Sequence, residues 1–311
     1  MNVVKREKNF AGKMTLAAHP LKCYNCFFSW IRFSFVDLLG FQMITREAPV
    51  LRDASGRTDP LAVPYLVFGG VGRAGVMAVQ SLLYAVLLPF RSRQRAEWIK
   101  QMYTAGIRSL PLISIVAMFT GMILALQVGL EMRRYNQEVY IGSAVMVTLL
   151  REMGPFMTGI VLTACVGSSM AAQIGAMTVN EEIAALEIMS INPIRFLMAP
   201  RMGAMVLMTP VLSFYTCVVG VIGGGVVGKT QLNVDWGQYI KLAMDFADLR
   251  DLYVGLFKAL IFGIIVTAVS CYEGFTTKQG AVGVGKATRH SVITSMLLIL
   301  IIGYIITRLF Y

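Results

Sequence analysis

Arg151 and Glu152 stand side by side inside a long apolar stretch, about 12 residues or ~18 Å from its outer end at the rise of an α-helix. Ionisable groups at such a depth are expensive unless they face protein or water. Adjacent residues on a helix point about 100° apart, so each of the two seeks a partner of its own. Two readings stay open: an ion pair holding helices together, or the lining of a headgroup-sized polar cavity. Gly154-Pro155 follows at once, and because proline has no N–H for the carbonyl four residues back, a kink is expected there. Lys258 lies one to two turns inside a later apolar stretch, where it either snorkels to the outer interface or serves the interior.

Three other patterns suggest chemistry and are set aside. Gly223 to Thr230 (GGGVVGKT) matches the phosphate-loop pattern, which needs a strand before it and a helix N-terminus after it. Here an apolar span precedes and the polar turn Asn233-Val234-Asp235 follows. Gly220, Gly224 and Gly228 recur every four residues, which instead bares one helix face for another helix. Gly70, Gly72 and Gly75 spell G-x-G-x-x-G without the βαβ unit that would give it meaning. Cys23 and Cys26 with His19 fall short of the four ligands of a zinc site, so no metal is expected. His290 has no Ser or Asp constellation around it, and no catalytic residue is assigned.

The segment Asn180 to Pro193 (NEEIAALEIMSINP) reads as a short acidic helix between two spans. Glu181 and Glu182 complement the dipole at its start and Asn180 is placed to cap it. Such a segment is either a plain loop or a docking knob.

The elements that position these residues follow from composition. Of 311 residues, 56% are hydrophobic and 14% charged, too apolar for an ordinary soluble domain. The excess of 28 Lys and Arg over 17 Asp and Glu flanks apolar stretches, which suits anionic headgroups and argues against nucleic acid. The expected fold is all-α and polytopic: an interfacial helix over residues 76–90, then five spans over 107–130, 139–177, 193–227, 252–272 and 293–310. Arg195 and Arg201 are read as interfacial bases at the start of the third. One face carries Arg91, Arg93, Arg95, Lys100, Arg108, Arg195, Arg201, Lys278, Lys286 and Arg289; the other has Arg133, Arg134, Lys229, Lys241 and Arg250. The positive-inside rule puts 178–192 and 273–290 in the cytoplasm. Residues 1–67 read as an N-terminal extension of separate character, and 68–311 as the membrane domain.

Four stretches in order, Leu149 to Pro155 (LLREMGP), Val166 to Gly175 (VGSSMAAQIG), Asn180 to Pro193 followed by Arg195, and Gly280 to Thr288 (GAVGVGKAT), resemble the MlaE-type permeases of lipid ABC transporters. The resemblance runs from about residue 68 to 311. It implies a homodimer in a bacterial inner membrane, a plastid inner envelope being the alternative, with an outward-facing phospholipid cavity lined by Leu124, Gln127, Tyr135, Arg151, Glu152 and Lys258. It makes 178–192 a coupling helix, with Glu181, Glu182, Glu187, Pro193 and Arg195 facing a separate cytoplasmic ABC ATPase that holds the ATP and Mg²⁺. A periplasmic MCE-domain protein and a STAS-domain accessory protein are the further partners implied, in a system serving outer-membrane lipid asymmetry.

Two departures stand out: residues 1–67 have no counterpart in compact members, and Arg133-Arg134 adds charge near the outer mouth where similar proteins can be neutral. The main rival is an ion-coupled secondary transporter of an amphipathic or lipid substrate, which would use its own buried charges and inverted repeats. No clear internal repeat is visible in five spans.

Overall fold

The structure is a computed structural model and describes residues 74–85, 92–278 and 280–311; the extension 1–67, with Cys23, Cys26 and His19, lies outside them, as do Gly70 and Gly72. The described residues belong to one compact unit, Ala74–Tyr311, and every regular element among them is helical. Two helices, α1 (Ala74–Ala85) and α2 (Ser92–Ala105), precede the first long one, α3 (Leu110–Arg134). Then come α4 (Glu138–Val179), α5 (Glu182–Ile188), α6 (Ile194–Gln231), α7 (Trp236–Asp245), α8 (Leu249–Phe275) and α9 (Gly280–Phe310). Five are long and apolar enough to cross a membrane: α3 with the end of α2, α4, α6, α8 and α9. Antiparallel succession sets α5 and the α8–α9 turn at one end, hereafter the basic end, and α7 with the end of α9 at the other.

The tightest packing is between α3 and α6. The buried face of α3 is Ile113, Ala117, Gly121, Ala125 and Gly129, a four-residue repeat of mostly small side chains. A Cβ on Gly121 would stand 1.9 Å from the Gly220 carbonyl oxygen, and one on Gly223 would stand 2.5 Å from that of Met118. The backbones touch, and that contact leaves no room for side chains. The stretch 223–230 is therefore helix, with Gly223, Gly224, Gly225, Val227 and Gly228 buried, consistent with its rejection as a phosphate loop. The other faces of α3 and α6 leave Ile115, Phe119, Val211 and Phe214 exposed, as a lipid-facing surface requires.

α4 is one continuous run interrupted by two π-helical turns, Leu149–Met153 and Thr163–Gly167. The expected disturbance at Pro155 takes the form of the first of these, with Pro155 opening the α-helical stretch that follows.

Three expectations are corrected and one helix is added. Asn180 does not cap α5: it ends α4, and the N-cap position is held by Glu181 in a left-handed conformation, φ 60°, with no side-chain cap. Asn192 instead caps the following helix, its Oδ1 accepting from the N–H groups of Ile194 (3.0 Å) and Arg195 (3.4 Å). The turn 233–235 introduces a further helix, α7, because Asp235 Oδ2 accepts from Gly237 and Gln238 N–H. The segment 280–292, placed before the fifth span, is the start of α9; its Gly283, Ala287 and Ser291 continue with Ser295 as a buried four-residue repeat, and Ser291 Oγ donates to Ser270 Oγ of α8 at 2.9 Å. Glycine lowers helix propensity, but the close packing it permits overrides that preference. Arg201 is buried rather than interfacial, only 5% exposed, with Nη2 donating to Gln173 Oε1 at 3.2 Å.

Gly121→Leu is expected to prevent the α3–α6 approach and abolish recovery of folded protein in detergent, measured by size-exclusion profile and thermal melting. Lys229→Ala, at the exposed end of α6, leaves both unchanged.

Candidate functional site

The first π-turn of α4 aims Arg151 and Glu152 at different neighbours, as their spacing required. Arg151 Nε pairs with Asp251 Oδ2 of α8 at 2.8 Å, and its guanidinium sits 4.5 Å from the centre of the Tyr311 ring. Tyr311 OH donates to Asp251 Oδ1. Burial first, then the hydrogen bond to Asp251 and that carboxylate's charge, push the Tyr311 phenol up to about 12, so it stays a donor at neutral pH. Arg250 Nη2 donates to the Phe310 carbonyl at 2.7 Å, and its guanidinium lies 5.8 Å from the same ring.

Glu152 turns to a second cluster. Its Oε1 accepts from Lys258 Nζ (2.7 Å) and from Thr307 Oγ1 of α9 (2.6 Å). Lys258 Nζ also donates to Thr307 Oγ1 (2.8 Å) and to the backbone carbonyl of Arg151 (2.9 Å). That carbonyl is the one four residues before Pro155, whose ring nitrogen has no proton to return to it. An ammonium has three donors, and all three are engaged. Lys258 is 0% exposed, so the snorkelling reading is overturned: its stem is enclosed and its head has partners inside the bundle.

The two clusters share one place, where α4, α8 and α9 meet. Beside it a hollow of about 340 Å³ is lined by Glu152, Phe156, Lys258, Phe262, Leu300 and Tyr304 among others. The remaining residues expected with this group lie elsewhere. Leu124, Gln127 and Tyr135 belong to α3 and its C-terminal end: Leu124 packs against the cluster of Val145, Leu149 and Val221, while Gln127 and Tyr135 face outward. Asp251 and Thr307 are members that sequence reasoning missed. Asp251 falls one residue outside the expected fourth span. Its spacing to Lys258, seven residues and two turns, was the available signal that both charges share a face.

At the basic end, α5 projects between two left-handed residues, Glu181 and Ser190, both at φ 60°. Glu181, Glu182 and Glu187 are exposed, and so are two apolar side chains at its tip, Ile188 at 85% and Met189 at 61%. Glu187 and Pro193 line a shallow hollow of about 410 Å³ with Ser190 and Asn192. Arg195 is turned away from α5, its guanidinium 5.6 Å from the centre of the Tyr84 ring of α1. Among the described residues no group of three or more His, Cys, Asp or Glu could hold a metal ion.

The sequence profile of the family described as Permease MlaE matches residues 98–309. The chain belongs to the MlaE permease family. A probable ABC transporter permease of Rickettsia typhi is 38% identical over 212 residues, 68% of this chain and 82% of that one. One from a Synechocystis species is 35% identical, covering 70% and 82%. The intermembrane phospholipid transport system permease protein MlaE of Haemophilus influenzae is 31% identical over 245 residues, 78% of this chain and 93% of its own length. This MlaE-family chain is thus a multi-pass membrane protein whose relatives are named as the permeases of ABC transporters.

Lys258→Met removes the ammonium and leaves Glu152, 40% exposed, with the Thr307 hydroxyl, and is expected to cost about 1–3 kcal/mol of stability. The double variant Glu152→Gln with Lys258→Met recovers part of that loss. A double-mutant cycle from melting of the detergent-solubilised protein checks it, additive losses excluding the pair as a unit.

Proposed function

We propose that the protein is the permease half of an ATP-driven phospholipid transporter. It works as a homodimer in a bacterial inner membrane, passing lipid between that membrane and a periplasmic MCE-domain protein. A separate cytoplasmic ABC ATPase holds the ATP and Mg²⁺, and a STAS-domain protein completes the cytoplasmic side. Family membership supports the transporter class, and the name of the Haemophilus relative, an intermembrane phospholipid transport permease, supports phospholipid as the cargo.

The observation that carries the reading is α5. A seven-residue helix with an acidic flank and an exposed apolar tip extends from the basic end between two spans. Among the described residues nothing covers Ile188 and Met189, and a partner groove would bury both. Their burial would supply the affinity, whereas Glu182 and Glu187 at the rim would steer the approach. ATP binding would then change the partner's grip on α5 and so favour one of two states of the bundle. The paired charges near the opposite end, with Arg151 side-chain surface 39% exposed, would meet the lipid.

Purification of the tagged protein from membranes in mild detergent is expected to retain the ATPase. Ile188→Asp is expected to weaken that association by about 2 kcal/mol, roughly 30-fold. Reversing Glu182 and Glu187 to Lys is expected to slow association and make it less salt-dependent. An ATPase that co-purifies undiminished with all three changes would remove the docking assignment.

A further inference from the structure

Two groups reach Asp251 of α8, which is 2% exposed. Arg151 Nε lies 2.8 Å from its Oδ2, yet the N–H points off that oxygen and neither buried atom makes a hydrogen bond. Charge alone holds that pair. The hydrogen bond to the carboxylate comes from Tyr311 OH, at Oδ1. Arg250 is tied beside the same phenol ring, its Nη2 donating to the Phe310 carbonyl at 2.7 Å and its guanidinium 5.8 Å from the ring centre. Arg151, 4.5 Å from that centre, keeps 39% of its side-chain surface, against 3% for Asp251. The partner on α4 can therefore turn outward, whereas the carboxylate stays where it is.

The expensive step in opening such a pair is leaving one charge buried without a partner. A carboxylate that already accepts from a phenol, with a second guanidinium beside that phenol, is not stranded when the first guanidinium departs. Resting on the reading as a phospholipid permease, we infer that Tyr311 is a positioning residue for lipid capture: its hydroxyl keeps Asp251 satisfied, so that Arg151 exchanges that carboxylate for the phosphate of a lipid. The guanidinium fork suits a phosphate's paired oxygens, and the cation stays matched throughout, first by Asp251 and then by the lipid. A phenylalanine at 311 would keep a ring against Arg151 but leave Asp251 without its hydrogen bond, and Arg151 would be held in place. A hydroxyl that merely fastened α9 to α8 would change stability alone. One that releases Arg151 also changes how readily lipid is taken.

The test uses the full chain with its co-purifying subunits, reconstituted in liposomes holding increasing fractions of a phosphatidylethanolamine labelled on one acyl chain, its phosphate unmodified. ATP-dependent transfer of the label to acceptor vesicles gives a half-saturating lipid fraction and a maximal rate, and melting shows that each variant is folded. Tyr311→Phe is expected to raise the half-saturating fraction roughly 10-fold, the effect of one hydrogen bond to a charged group, with the maximal rate little changed. In Asp251→Asn, where no charge is left behind, adding Tyr311→Phe is expected to have no further effect; Arg151→Gln is the second background, where no guanidinium has to be released. Half-saturation that stays at the wild-type value in folded Tyr311→Phe overturns the role. So does a rise of the same size in either background that folds, which makes the hydroxyl a structural contact. In both cases wild-type protein that moves lipid leaves the permease reading intact. Wild-type protein that moves none overturns that reading, and the role of Tyr311 with it.

Discussion

A charge inside a membrane-spanning bundle has to be neutralised where it stands, and in this protein that requirement falls on the Lys258 ammonium. Its side chain is fully enclosed, and a buried ammonium without partners costs several kcal/mol. Its three protons reach α4 twice and α9 once, so a single side chain on α8 fixes the spacing of three helices. The geometry begins with Pro155. The carbonyl it leaves without an α-helical donor becomes an acceptor for the lysine, and the π-turn around it aims the neighbouring Glu152 at the same nitrogen. Gly255 allows the approach, since a Cβ there would stand 2.2 Å from the Leu150 carbonyl oxygen.

The neighbouring Arg151–Asp251 pair follows the same rule one step along the chain. Arg151 and Lys258 carry two positive charges, Glu152 and Asp251 two negative ones, and the four alternate across α4 and α8. Each pair is neutral by itself, so one can open without leaving net charge in the other. They differ in exposure: Asp251 and Lys258 are enclosed, while Arg151 and Glu152 keep about two-fifths of their side-chain surface. The α8 partners are therefore fixed and the α4 partners face the open side. That asymmetry makes α4 the helix able to exchange one partner for another.

Much of this arrangement was legible in the residues. Long apolar stretches had to become spans, and the unfavourable i,i+1 placement of Arg151 and Glu152 required separate partners, which they have. Where the reading failed, a local signal was overridden by packing or lay at a boundary. Residues 280–292 read as preceding the fifth span, yet they open α9, where Gly283, Ala287 and Ser291 are buried. Lys258 looked free to snorkel because nothing in a linear sequence reveals that Thr307 and a proline-freed carbonyl converge on it. Arg201 sits among basic residues of the interface by sequence, but Gln173, one helix away, draws it into the interior. Asn180 precedes α5 closely enough to cap it, but the left-handed turn at Glu181 takes the N-cap position, and Asn192 caps α6 instead.

The same geometry limits how a push at α5 could reach the paired charges. Left-handed residues bracket α5, and its two arms are tied at their roots: Arg201 of α6 holds Gln173 of α4, and Thr178 Oγ1 donates to the Gly274 carbonyl of α8 at 3.0 Å. A force on α5 therefore enters α4 and α6 together. Toward the opposite end α6 meets α3 backbone to backbone around Gly121 and Gly220–Gly224, which leaves it little freedom. α4 has two places where its ladder of hydrogen bonds changes register, Thr163–Gly167 and Leu149–Met153, and the second holds Arg151 and Glu152 themselves. Packed interiors respond to small displacements by switching between discrete arrangements, not by bending continuously. Under the proposed function the π-turn would be the arrangement that switches, because a shift of one hydrogen bond there would re-aim both charged side chains.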